Sequence, residues 1–154
     1  MHKESSINDS AKQDNVSETI HIFSKEILRD VLLPDLLGRE HAHILYWSGK
    51  QLARKFPLNN MEETIEFFKK SGWGELEERK TGKKEALYIL TGPIIERRLD
   101  LNPESEFQLE AGFLAQQFQF QNKRITEAIY EIKAKTAQVH LIVRWDSKDL
   151  ADNE

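Results

Sequence analysis

The segment LEAGFLAQQFQF, residues 109–120, constrains the fold more than any other stretch, because a helix built from it is apolar on two opposite faces. At about 100° per residue, Phe107, Ala111, Leu114, Ala115 and Phe118 form one stripe, while Leu109 and Phe113 lie on the far side with Gly112. A helix apolar on both sides must be covered on both sides. The segment therefore predicts a sandwiched central helix, and Asn102-Pro103 is read as its start, a capping side chain ahead of a first-turn proline.

The stretch EHAHILYWSGKQLARKF, residues 40–56, supplies one cover. Leu45, Gly49, Leu52, Ala53 and Phe56 share a stripe, with Trp47, Lys50 and Arg54 opposite. A glycine inside a helix costs about 1 kcal/mol relative to alanine, so Gly49 calls for a packing reason. The small residues Gly49 and Ala53 are expected to meet Ala111 and Ala115, leaving Gly112 for a second close contact with a partner subunit.

Three chemical motifs can be tested on this stretch. His41 and His43 would point about 200° apart on a helix, too far to share a metal ion. Gly49-Lys50 fails the phosphate-loop pattern, with Ile44 at the first glycine position and Gln51 at the Ser/Thr position. Ser48 lacks the glycines of a nucleophile elbow, Tyr46 and Lys50 standing there instead. Trp47 among cations reads as an interface aromatic or as one covered within the monomer; whether Lys50 and Arg54 bind an anion stays open.

Elsewhere, Ile20, Phe23, Ile27 and Val31 recur at helical spacing, predicting a first helix over 17–33 that Pro34 stops. Gly38 follows in a turn. Asn60 with Glu63 marks a capping box before Met61, Ile65 and Phe68, and Gly72 closes that helix. ELEERK and EALYIL, joined by TGK, form a hairpin. TEAIYEIK and QVHLIVRW are strands, the second alternating Val139, Leu141, Val143 and Trp145 against His140, Ile142 and Arg144. The order gives an α+β class, an antiparallel sheet of about four strands with helices packed on one face. Residues 1–17 are expected to be a disordered leader, 18–146 a single domain and 147–154 an acidic tail.

Net charge −4 over 154 residues removes general attraction to nucleic acid, and the absence of cysteine excludes disulfide and thiolate chemistry. No signal-like or membrane-spanning run is evident, so a cytoplasmic protein with no membrane insertion is expected.

ILRDVLLPDLLG, ILYWSGKQLARKFP, FFKKSGWGEL and FQLEAGFLAQQ, in that order, resemble a family of Gram-positive bacilli catalogued as a domain of unknown function. That family is similar in turn to 4-vinyl reductase domains and to subunits of the TRAPP transport particle, a fold related by loose analogy to haem-based nitric oxide sensor domains. The resemblance implies a fold that binds small hydrophobic molecules or makes dimeric, scaffold-like contacts, and it implies no reaction. The cysteines that carry acyl chains or suggest metal binding in those relatives have no counterpart here.

The functional expectation is a non-catalytic binding module with no cofactor or metal. An apolar pocket would be lined by Tyr46, Leu52, Phe56, Phe67, Phe68, Leu114 and Phe118, unless these side chains simply fill the core. The alternative is a homodimeric interaction or scaffold domain that presents Trp47, Leu109, Gly112 and Phe113.

Overall fold

The structure, a computed structural model, describes residues 19–150, with side chains through Asp146. The leader expected over 1–17 and the final residues of the expected tail lie outside the described residues. The chain divides between Leu36 and Leu37 into two compact units, where one domain was expected.

The first unit is helical. His21 accepts a hydrogen bond from the Phe23 amide at Nδ1 (3.2 Å) and starts α1, Ile22–Glu26. A π turn spans Ile27–Leu32, and α2 covers Leu33–Leu37. The helical run thus begins later than predicted and passes through Pro34 instead of stopping there. In the π turn the ladder has slipped to i→i−5, with the Leu33 amide on the Leu28 carbonyl. The widened turn lets the proline ring and its missing N–H enter where the regular ladder is already interrupted.

The second unit opens with a short turn at Gly38–Glu40 and α3, His41–Lys55, the predicted helix. α4, Met61–Lys70, is capped by Asn60, whose Oδ1 accepts from the Glu63 amide (2.9 Å), while the Glu63 carboxylate reaches the Asn59 amide one residue earlier than a capping box requires. The hairpin strands are β1, Glu75–Thr81, and β2, Glu85–Thr91. Next comes a helix that pattern reading missed: α5, Pro93–Leu101, with Pro93 in its first turn and Ile95 and Leu99 buried. Asn102 and Pro103 therefore close α5 instead of opening the central helix. The Ser105 hydroxyl, within reach of the carbonyls of Arg98 (3.0 Å) and Asn102 (2.7 Å), satisfies that helix end. α6, Gln108–Asn122, is the central helix, buried without interruption from Glu110 to Phe118.

β3, Arg124–Lys133, and β4, Gln138–Leu150, complete the sheet, whose order is β1-β2-β4-β3 with every pairing antiparallel. β4 carries on to Leu150, past the point where the tail was expected to fray. Val139, Leu141 and Val143 are fully buried under the helices, as their alternation predicts. The core joins these residues to Ala86, Tyr88 and Leu90 of β2 and to one face of α6, with α3 on the other face of that helix. The expected α+β architecture and the sandwiched helix are what the chain builds. Among the described residues, no helix is long and apolar enough to cross a membrane.

Candidate functional site

The crossing of α3 and α6 brings Gly49 against the central helix, as expected, and adds Gly112, which was expected to face a partner subunit. A Cβ on Gly49 would overlap the Leu109 carbonyl and lie 2.8 Å from the Phe113 nitrogen, and one on Gly112 would overlap the Tyr46 carbonyl. Gly49 and Gly112 are therefore the two contact points, while Ala53, Ala111 and Ala115 are fully buried core residues. Gly112 is occupied by α3 and Phe113 is fully buried, so neither offers surface to a second subunit. Leu109 is half-buried against the core, and of the four expected interface residues only Trp47 is exposed, at 61%.

The expected pocket residues do not surround one space. Phe67 stacks on Phe113 with ring centres 4.5 Å apart, and Phe56, Phe68 and Trp73 close round them at 5.0–6.0 Å. Edge-to-face and offset rings of this kind fill a core. Leu114 is fully buried, Leu52 packs on the same core, and Phe118 stacks on Trp145 at 4.8 Å near the other end of α6. Tyr46 lies apart from that cluster, against the edge strand.

There Tyr46 makes a polar contact that is long-range in sequence. Its hydroxyl donates to Glu127 Oε1 and accepts from the Ala128 amide (3.0 Å). Lys50, one turn on, donates to both Glu127 oxygens at 2.8 and 2.9 Å and lies 5.1 Å from the Tyr46 ring centre. Burial pushes the Tyr46 phenol well above the ordinary tyrosine value, and its hydrogen bond to Glu127 adds to the shift. Burial likewise raises Tyr88 and Tyr130. A second amide of β3, that of Thr126, is held by Gln119 Oε1 at 3.1 Å. Lys50 is thus engaged by a carboxylate, not held open for an anion.

The charges continue in alternating sign across the sheet. Arg144 neighbours Glu127 in register and pairs with Glu85 at 2.7 Å. Beside this row lies an open depression of about 440 Å³, lined by Lys84, Ile125, Glu127, Arg144, Trp145 and Asp146. Ile125 and Ile129 stand on the same outward face of β3 as Glu127 and are about half exposed.

Two buried polar groups were missed in the sequence. Gln117, fully buried, accepts from the Leu58 amide (3.0 Å) and donates to the Phe56 carbonyl (2.7 Å), holding the chain that leaves α3. Arg98 and Glu110 approach to 3.7 Å in the interior, with the guanidinium 4.4 Å from the centre of the Phe107 ring. His43 pairs with Glu40 at 3.1 Å in solvent, and the described residues contain no group of three potential metal ligands from His, Cys, Asp and Glu. Burial, then Lys133, lowers the His140 imidazole.

In the first unit, Ile20, Phe23, Ile27, Leu28, Val31, Leu32 and Leu36 are 41–83% exposed. The charged pair Glu26 and Arg29 is buried instead. This inverts the usual amphipathic pattern.

A family model described as a protein of unknown function (DUF2507) matches residues 22–144. The uncharacterized protein YslB of Bacillus subtilis (strain 168) is 44% identical over 140 residues, which cover 90% of this chain and 95% of YslB. Among solved structures, a vinyl-4-reductase family protein from Methanocaldococcus jannaschii is similar with a TM-score of 0.62 and 18% identity, over 86% of this chain and 85% of that one. A trafficking protein particle complex subunit 3 from Naegleria fowleri, covalently bound to palmitic acid, reaches a TM-score of 0.46 at 15% identity, over 84% and 92% of the two chains. At 18% identity, the first likeness establishes the fold.

Proposed function

We propose that the chain, which belongs to the DUF2507 family, described as of unknown function, is a non-catalytic interaction module acting as a self-associated pair. One observation carries this reading. Three of the aromatics that would line a ligand pocket, Phe56, Phe67 and Phe68, instead pack into one cluster with Trp73 and Phe113, while twelve large apolar side chains among the described residues stay exposed, seven of them within Ile20–Leu36. Apolar surface concentrated in one segment is the mark of a contact site. The polar groups of α3 and β3 support the reading too: Glu127 holds Tyr46 and Lys50 together, which fastens a helix to a strand.

Native mass spectrometry of the protein purified gently from its own cells tests the proposal. A dimer mass without added ligand is expected, and a monomer at micromolar concentration would overturn it. A second reading, a small-molecule carrier, rests on the depression beside Trp145, whose volume falls in the range of ligand sites. An adduct that is lost on denaturation would favour that reading.

A further inference from the structure

We infer that the helical run from Ile22 to Leu37 is an arm that opens as a unit of its own, ahead of the rest of the fold. This opening is separate from the self-association proposed above and does not require it.

The arm buries charges and exposes apolar side chains. Glu26 and Arg29 are each 7% exposed, whereas Phe23, Ile27, Leu28, Val31, Leu32 and Leu36 are 41–69% exposed. An apolar side chain stabilises a helix only in so far as water leaves it. A charged group taken out of water needs good partners to make up its lost hydration. The helical state of the arm therefore draws little from its apolar residues, and any loosening that rewets Glu26 and Arg29 returns hydration to two charges.

The backbone adds a second weakness. The run is pieced together from α1, the π turn and α2, of five, six and five residues. Helices below about 12–15 residues are marginal in water and rely on packing, which the burial pattern withholds. Over Ile27–Leu32 the ladder is the rare i→i−5 kind, and Pro34 brings it no N–H. Just past the run, Gly38 takes φ +65° with nothing within 4 Å of an added Cβ, so no neighbour pins the chain there.

α4 shows the contrast on a helix of ordinary kind. It is capped by Asn60, unbroken over ten residues, and fully buries Phe68. Local opening begins where buried apolar contacts are few and backbone bonds are interrupted, which separates the arm from α4. The arm is then a two-state element, helical or open, whose side chains change their setting together.

Hydrogen exchange of the full chain, read by mass spectrometry at two protein concentrations, tests this. Amides of residues 22–37 are expected to exchange about a hundredfold faster than those of α4 and to share one dependence on low urea. Pro34→Ala, which returns an N–H to the ladder, is expected to slow the arm about tenfold and leave α4 unchanged. Arm amides as slow as those of α4 at either concentration would overturn the proposal. So would arm amides that respond to urea one by one, or a Pro34→Ala effect that α4 shares equally. The native mass decides self-association whichever way the exchange falls, so the two proposals fail separately.

Discussion

Gly49 and Gly112 each sit against a backbone turn of the other's helix, Gly49 over Leu109 to Phe113 and Gly112 over Tyr46 to Lys50. The approach is set by main-chain atoms, which cannot swing aside as side chains do. Gly49→Ala and Gly112→Ala are each expected to lower stability by about 2–3 kcal/mol, despite alanine's better helix propensity. The melting temperature should fall by roughly 6–10 °C. Gly82→Ala, where the nearest atom to an added Cβ is at 3.5 Å, should leave it unchanged. Thermal unfolding of the three variants measures the contrast.

The buried Arg98–Glu110 pair predicts an asymmetry between single and double substitutions. Glu110→Gln leaves the buried guanidinium charge uncompensated, with its hydrogen bond to the Glu106 carbonyl (2.8 Å) still in place, and should cost about 3 kcal/mol, whereas Arg98→Met with Glu110→Leu should recover most of it. Urea denaturation of the single and double variants checks this. A cost shared equally by both would show that the pair's packing volume matters more than its charge.

Alkaline pH should loosen the fold through its tyrosines. Burial raises the pKa of Tyr46, Tyr88 and Tyr130 above their unfolded values, so the native state holds these protons more tightly than the unfolded chain. The resulting stabilisation is complete below about pH 10, the ordinary tyrosine value, and is lost as pH rises from there toward the folded pKa values. Tyr46→Phe should lower neutral-pH stability by about 1 kcal/mol and flatten the alkaline decline. Phenolate absorbance at 295 nm should also appear later in the native protein than in urea.

Trp47 and Phe113, expected at the outset to share an interface, should part company experimentally. Trp47→Glu is expected to fold with stability within about 0.5 kcal/mol of the parent, because the indole is 61% exposed. Phe113→Glu, its ring stacked on Phe67, should not reach the folded state. Near-ultraviolet circular dichroism separates the two.

Where periodicity alone decides the outcome, the sequence was legible. Val139, Leu141 and Val143 alternate into the core, and the two-faced helix around Ala111 is covered on both sides. What escaped depends on partners distant in the chain. The interior place of Arg98 on α5 depends on Glu110, which only the folded chain sets beside it. Tyr46 reads as a core aromatic until Glu127, 81 residues on, takes its proton donor. The run through Pro34 needed a π turn, which no residue pattern announces. Phe113 was hidden for the same reason: which side of α6 carries it inward follows from the glycine crossing.

The hydrogen bonds that Tyr46 and Gln119 accept from Ala128 and Thr126 bear on how this protein can multiply its contacts. β3 lies at the rim of the sheet, where unpaired amides would recruit a strand from a neighbour and begin a fibre. Two of its donors are already taken by side chains reaching down from the helices. Strand addition at this rim is therefore hindered, and a variant that frees those amides would open it to a neighbouring chain.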